Sequence, residues 1–342
     1  MTPIGFTNHV SNLEKDATEL DVRGGPAAAD SPVFERITGR EVVLTPRRFA
    51  DDVGSTLEQD LTVRRYLPGA HRRMVGAWCF LDYYGPTVIR EGVGMQVPPH
   101  PHCGLQTISW LVSGEIRHTD SVGSEATVRP GQLALMTAGQ GIAHAERSPG
   151  TRPPILHGAQ LWVALPDAVR DAQPSFEHLL EPPKLEVDGA TVTLILGSLE
   201  GTAVPARVYS PLVGADIDLP GNGRSTLALT ADWEHAILVM RGSVSIGSQL
   251  LGIGEMAYLG CGRTELQLES ELGARVLLIG GAPFTEELLM WWNFVARSHE
   301  EIVAARQDWT SGVRFGTVED SSGRLPAPPI PPVRLKPRGR SI

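Results

Sequence analysis

Cysteine is scarce in this chain. Cys79, Cys103 and Cys261 are its only three, too few and too scattered for a disulfide framework or a zinc ribbon. No window approaches the ~18 consecutive apolar residues of a membrane span, so no membrane partner is expected. The opening MTPIGFTNHVSNLEKDATELD lacks an apolar signal core, which makes the cytoplasm the default location. Positive charge is also short: 30 Lys and Arg against 39 Asp and Glu leave −9. Such a chain is not held to nucleic acid by its overall charge, and no direct nucleic-acid partner is expected. Aromatics make up only 6%, against 37 glycines and 27 prolines in 342 residues. That pairing favours short strands joined by many turns over a helical bundle. An apolar content of 42% is enough to bury a core.

The length points to two domains of ~100–200 residues each, with tails. Residues 1–40 are weakly patterned and read as a flexible arm. Strand-like segments then recur at sandwich or barrel spacing, from Met74–Leu81 through Leu105–Ser113 to Leu156–Leu165. The Pro- and charge-rich stretch from Pro166 to about Asp188 reads as a linker, after which the strand rhythm resumes up to Arg275–Ile279. The expected units are therefore a first barrel over 41–175 and a second over 176–315. Late in the chain the period changes. Leu288, Trp292 and Val295 stand at i, i+4, i+7, and Ile302, Arg306 and Trp309 extend a similar stripe, which predicts helices there. Residues 316–342 form a basic, Pro-rich tail. Its last nineteen residues, RLPAPPIPPVRLKPRGRSI, hold six prolines, five basic groups and no acid, and are expected to be disordered or polyproline-like, and solvated.

Chemistry concentrates in two segments. GMQVPPHPH carries His100 and His102; GQGIAHAE carries His144 and Glu146. Each places two donors at i and i+2, and on a strand alternate side chains leave from one face. On neighbouring strands, ~4.8 Å apart, the four would converge inside a barrel. Three imidazoles and a carboxylate suit Fe, Ni, Cu, Mn or Zn rather than Ca or Mg, which prefer oxygen shells. Metal affinity is expected to fall as pH drops through the imidazole range. Cys103, at i+1 from His102, should face away from the site. His118 and His157 lie in strands without a companion at ligand spacing and read as satisfied core or surface residues.

At these residues the chain resembles the pirin family, a bicupin branch of the cupin superfamily. PPHPHCGLQTISWLVSGEIRHTDSVG, RPGQLALMTAGQGIAHAE and LHGAQLWVALP stand where pirins carry their characteristic segments, and GGAPFTEELLMWWNFVARSHEEIVAARQDW is similar to the pirin C-terminal region. The resemblance covers roughly residues 60–315. It implies an all-β fold of two stacked antiparallel β-barrels of the jelly-roll type, with a few C-terminal helices. It also implies one divalent transition metal, usually iron, in the first barrel, held by His100, His102, His144 and Glu146, and no such site in the second. Where the general cupin pattern has a Glu, this chain has Gln106, which hydrogen-bonds but carries no charge.

The resemblance implies two activities of different class. One is a quercetin (flavonol) 2,3-dioxygenase, with a flavonol-like aromatic and O2 as partners and Glu146 as the base that takes the 3-hydroxyl proton. In that reading Met95, Trp110, Met136 and Trp162 are candidates for the walls of a flat slot. The other is a non-catalytic, redox-sensitive metal-binding regulator that acts through a protein partner.

Overall fold

The computed structural model describes residues 5–6, 33–44, 46–47, 61–89, 94–320 and 323–339. Strands dominate, and all named strand pairs are antiparallel. Two sheets wrap the first barrel. One has four strands in the order 125–128, 116–120, 142–147, 96–102. The other has seven, in the order 175–179, 133–137, 105–113, 155–164, 78–88, 61–67, 40–44. A nine-stranded sheet forms the second barrel, its long strands Leu212–Ala228, Glu234–Ile246 and Glu265–Gly281 making the spine. Strands long enough to bend around a core let one sheet cover both sides of it. No helix among the described residues is long and apolar enough to cross a membrane.

One early strand crosses between the barrels. Glu35–Ile37 pairs with Met256–Gly260 of the second barrel, although it precedes the first in sequence. The arm expected over 1–40 therefore ends in a paired strand; most of its earlier residues lie outside the described ones. Ser175–Leu179, inside the expected linker, completes the seven-stranded sheet beside Leu133–Thr137.

The barrels share one continuous apolar core, in which Trp78, Phe80 and Leu105 of the first are contiguous with Val192, Leu238 and Leu278 of the second. Polar groups trapped in this contact are matched. Trp78 Nε1 donates to the carbonyls of Val213 (3.2 Å) and Gly280 (3.0 Å). Trp110 Nε1 donates to Asp216 Oδ2 at 2.7 Å, and Arg275 closes on the same carboxylate at 2.7–3.0 Å. Glu234 accepts from Gly76 N and from Tyr258 Oη. Tyr83 Oη reaches the Met240 carbonyl and His157 Nε2, which makes His157 the satisfied core residue its isolation predicts. Buried polar groups are tolerable when each finds a partner, as these do.

Two expectations about the C-terminal region are corrected. Leu288–Val295 is not helical: Leu289–Trp291 and Phe294–Ala296 form a hairpin whose turn holds Trp292 at φ +54°. The misleading signal has a simple cause. The hairpin is buried on both faces, so its run of apolar residues has no face to reveal its period. Among the described residues the structure therefore has one α-helix, His299–Ser311, instead of several. Ser298 caps it by accepting from Glu301 N, and Gly312 ends it in the left-handed region. Ile302, Ala305 and Trp309 form its buried face.

The second correction concerns the basic tail: its described residues are not disordered but lie extended and anchored at a few buried points, most of them still partly exposed. Trp309 Nε1 donates to the Leu325 carbonyl (2.8 Å) and Arg306 Nε to the Pro328 carbonyl (2.6 Å). Leu288 and Arg338 exchange both backbone hydrogen bonds. Leu325 and Leu335 are buried against the helix and hairpin. Its prolines have no N–H to satisfy, so the segment can lie flat on that surface without a strand partner.

The Asp216 cluster yields a stability test. Asp216→Ala leaves the Arg275 guanidinium and the Trp110 N–H without their shared acceptor at the barrel contact. An unfolding free energy lower by about 3 kcal/mol is expected, the low end for a broken buried pair because Arg275 keeps some access to water. Urea denaturation of the two proteins measures it.

Candidate metal centre

The donors sit on the four-stranded sheet of the first barrel. Gln96–His102 is its edge strand, which is why three prolines are tolerated there: among the described residues no further strand of the sheet needs their missing N–H groups. His144 lies directly opposite His100 on the neighbouring strand. Between His144 and Glu146 the register slips, so that Pro98 and Pro99 together face the single residue Ala145. This bulge turns the Pro98 carbonyl onto His100 Nδ1 at 2.9 Å. With its proton held there, His100 offers a bare Nε2 to the barrel interior.

His100, His102 and His144 meet. One ring nitrogen from each lies within 4.8 Å of the others, and ring centroids are 4.3–5.0 Å apart. All three rings are buried. His144 Nε2 has no hydrogen-bond partner among the described residues, a costly state for a buried polar atom unless something else binds it. An ion in reach of three such nitrogens would end that cost, so the residues fit a divalent transition metal. Burial lowers the proton affinity of all three: His100 is pushed down to about 4, and His102 and His144 well below the usual imidazole range. The rings are neutral and ready to ligate at neutral pH, and proton competition moves below the range expected from the sequence.

Glu146 is buried on the wall of the same cavity but is not a member of the three-nitrogen cluster. Burial raises its proton affinity; the nearby His118 and a hydrogen bond from Ser109 oppose the rise. Ser109 Oγ stands 2.8 Å from both Glu146 Oε1 and the Gln160 side-chain amide. One hydroxyl has one proton, so with that proton on Glu146 the Gln160 amide must present its NH2 to the Ser109 oxygen.

The cavity is small, about 60 Å³, well under the ~300–1,000 Å³ of pockets that enclose a drug-sized molecule. Leu61, Val63, Met95, Val97 and Trp162 give it apolar walls. Of the four candidates for those walls, Met95 and Trp162 line it; Trp110 and Met136 belong to the core. Gln106 is not a cavity group either. It is fully buried, and its Nε2 ties Thr137 Oγ1 (2.9 Å) to the Arg207 carbonyl (3.0 Å).

Cys103, one residue past the strand, faces away from the histidines, as its place next to His102 predicts. It packs among Ala143, Trp291 and Phe294 on the outer side of the sheet. Gly104 follows at φ +73°, and a Cβ there would stand 2.0 Å from the Val295 carbonyl oxygen. Only glycine lets the C-terminal hairpin seat so close to the donor strand.

The sequence reading missed a second layer. His118, judged an isolated core residue, stacks on Phe176 with centroids 4.1 Å apart and places Nδ1 3.4 Å from His144 Nδ1. Its Nε2 contacts Asp120 Oδ2 at 3.1 Å. Burial opposes the ionised form of Asp120, but hydrogen bonds from His118 and Ser124 outweigh it and hold the carboxyl below its ordinary range. The signal was present: His118-Thr-Asp120 has the same i, i+2 spacing as the two donor pairs. Its meaning depends on register, which sets Asp120 opposite His144 and His118 opposite Glu146.

The chain is similar to known proteins across both barrels. The family model described as Pirin matches residues 60–163, and that of the Pirin C-terminal cupin domain matches 214–316. A Pseudomonas aeruginosa protein named "Putative quercetin 2,3-dioxygenase" is 50% identical over 276 residues, 79% of this chain and 86% of that protein. Pirin of Rattus norvegicus is 33% identical over 258 residues, 72% of this chain and 85% of its own length. Among solved structures, a quercetin 2,3-dioxygenase from Acinetobacter baumannii superposes with a TM-score of 0.79 at 38% identity, covering 88% of this chain and 97% of that one.

The depressed histidines have a measurable consequence. In the unfolded chain an imidazole takes up its proton near pH 6.5; in the fold His100, His157 and His235 resist until about 4. Between those values the unfolded state binds more protons. The stabilisation these residues give is complete above about 6.5 and is lost as pH falls toward 4. The urea midpoint of metal-free protein should therefore drop across that window, and His235→Gln should flatten the slope. An equal slope in both proteins would contradict the assignment.

Proposed function

The chain belongs to the pirin family of the cupin superfamily, and on that premise we propose that it is a metal-dependent oxygenase of the quercetin 2,3-dioxygenase type. In this reading His100, His102, His144 and Glu146 hold one divalent transition metal, with iron the first candidate and nickel, copper, manganese and zinc the others. The observation that carries it is the joint placement of three buried, neutral imidazoles and one buried carboxylate of raised proton affinity on the wall of a largely apolar cavity. When bound, the metal would polarise the substrate hydroxyl and hold it beside O2.

The remaining work falls to side chains. Leu61, Val63, Met95 and Trp162 would pack against the edge of a flat aromatic that enters beside the donors. Trp162 is itself held in place, stacked on Phe80 at 4.1 Å and meeting His102 edge-on. Glu146 would take the proton of a flavonol 3-hydroxyl, a role suited to a carboxylate whose burial raises its basicity. Ser109 steadies it by donating to Oε1, leaving Oε2 to face the metal and the substrate hydroxyl. Tyr84 Oη, buried on the same wall and without a partner among the described residues, would supply a hydrogen bond to a second substrate oxygen. The net reaction would insert both atoms of O2 into the flavonol ring and expel CO.

The test is anaerobic loading of the full chain with Fe(II), Mn(II), Ni(II), Cu(II) or Zn(II), then aerobic assay against a flavonol panel with CO detection. Turnover with at least one metal is expected. Glu146→Gln should keep the metal yet lower kcat by ~10²–10⁴-fold, the share of a general base. Silence with every metal, joined to capture of a protein partner that depends on the metal's oxidation state, would favour the regulator instead.

A further inference from the structure

We propose that Asp120 and His118 form a relay that decides which nitrogen of His144 carries a proton, and so whether His144 can face a metal. The inference rests on the reading of His144 as a ligand. Neither residue lines the cavity; both are positioning residues that act through His144.

The argument is one of proton bookkeeping along a row of three groups. Asp120 Oδ1 accepts two backbone N–H groups, from Val122 (3.0 Å) and Ser124 (2.9 Å), in the turn that follows the strand. Its other oxygen, Oδ2, faces His118 Nε2 at 3.1 Å. An ionised carboxylate only accepts, so His118 Nε2 carries hydrogen. In a neutral imidazole the other nitrogen is then an acceptor. His118 Nδ1 lies 3.4 Å from His144 Nδ1, so the hydrogen between them belongs to His144. That leaves His144 Nε2 bare, and Nε2 is the buried nitrogen with no partner among the described residues. The direction of each hydrogen bond follows from the one before it. Phe176, stacked on His118 at 7° between ring planes, keeps the middle ring from turning.

Asp120→Asn tests this with almost no change of shape. The two backbone donors of the turn keep the carbonyl oxygen of the substituted side chain on their side. The amide NH2 must then point at His118 Nε2 and make it an acceptor. His118 now carries hydrogen on Nδ1, His144 Nδ1 must accept, and the proton of His144 moves to Nε2, where it blocks a metal. Two readouts on the full chain separate this from a structural role. In metal-free wild-type protein, 15N chemical shifts should show His144 protonated on Nδ1; in Asp120→Asn they should show it on Nε2. Co(II) affinity, measured by competition with a chromophoric chelator, should weaken ~10–100-fold in the variant, the usual effect of losing a group that orients a metal ligand.

Wild-type His144 protonated on Nε2 would overturn the relay, and this measurement stands even if the variant fails to fold. So would a folded Asp120→Asn protein with an unmoved His144 tautomer and wild-type Co(II) affinity. Wild-type protein that binds no Co(II), Fe(II) or Ni(II) would instead sink the metal reading of the preceding subsection, with the tautomer measurement still deciding the relay.

Discussion

Three imidazoles buried without charge and turned toward one point are the constraint around which the first barrel is organised. Each ring must surrender its hydration and keep one nitrogen bare, and neither condition is met by the rings themselves. The bulge at Pro98 and Pro99 satisfies the first ring by bringing a carbonyl onto His100 Nδ1. A second imidazole and a carboxylate face His144 from the adjoining strand. Unsatisfied, any of these groups would cost the fold the desolvation penalty of a buried polar atom.

The outer face of the same sheet is equally dependent on its cover. Cys103, Ala143 and Ala145 alternate with the donors and point outward, where they meet Trp291, Phe294 and Phe315. The hairpin, the helix and the extended tail together form this cover. Leu325 N donates to the Pro99 carbonyl, and Arg147 pairs with Asp320. An edge strand rich in proline makes few ladder bonds of its own, so its position is set from outside. The C-terminal region of the chain thus holds the donor strand in place although the two lie far apart in sequence.

The second barrel contributes no donor to the cluster, yet it is not an appendage. Its strands supply the acceptors for Trp78 and Trp110, and its core is continuous with that of the first. Trp110, which resembles a cavity-wall residue when read from sequence, is turned toward Asp216 because its indole N–H finds its acceptor there. Sharing a core in this way ties the strand bearing Ser109 and Trp110 to the barrel contact.

Local chemistry decided much in advance. A period of two along a strand places His100 with His102, and His144 with Glu146, whatever the rest of the fold does. Glycine and proline punctuation announces short strands, and the capped stripe from Ser298 announces a helix. Other features belonged to the tertiary structure. That Leu288–Val295 is a hairpin depended on burial of both its faces, which erases the periodicity a sequence can show. That His118 serves His144 depended on the register between two strands, a quantity no single strand contains. That the tail lies on the helix depended on an apolar surface assembled from distant segments. Sequence determines what each stretch can present on a face; only the three-dimensional fold decides which faces meet, because that choice rests on burial and hydrogen bonding shared between residues far apart in the chain.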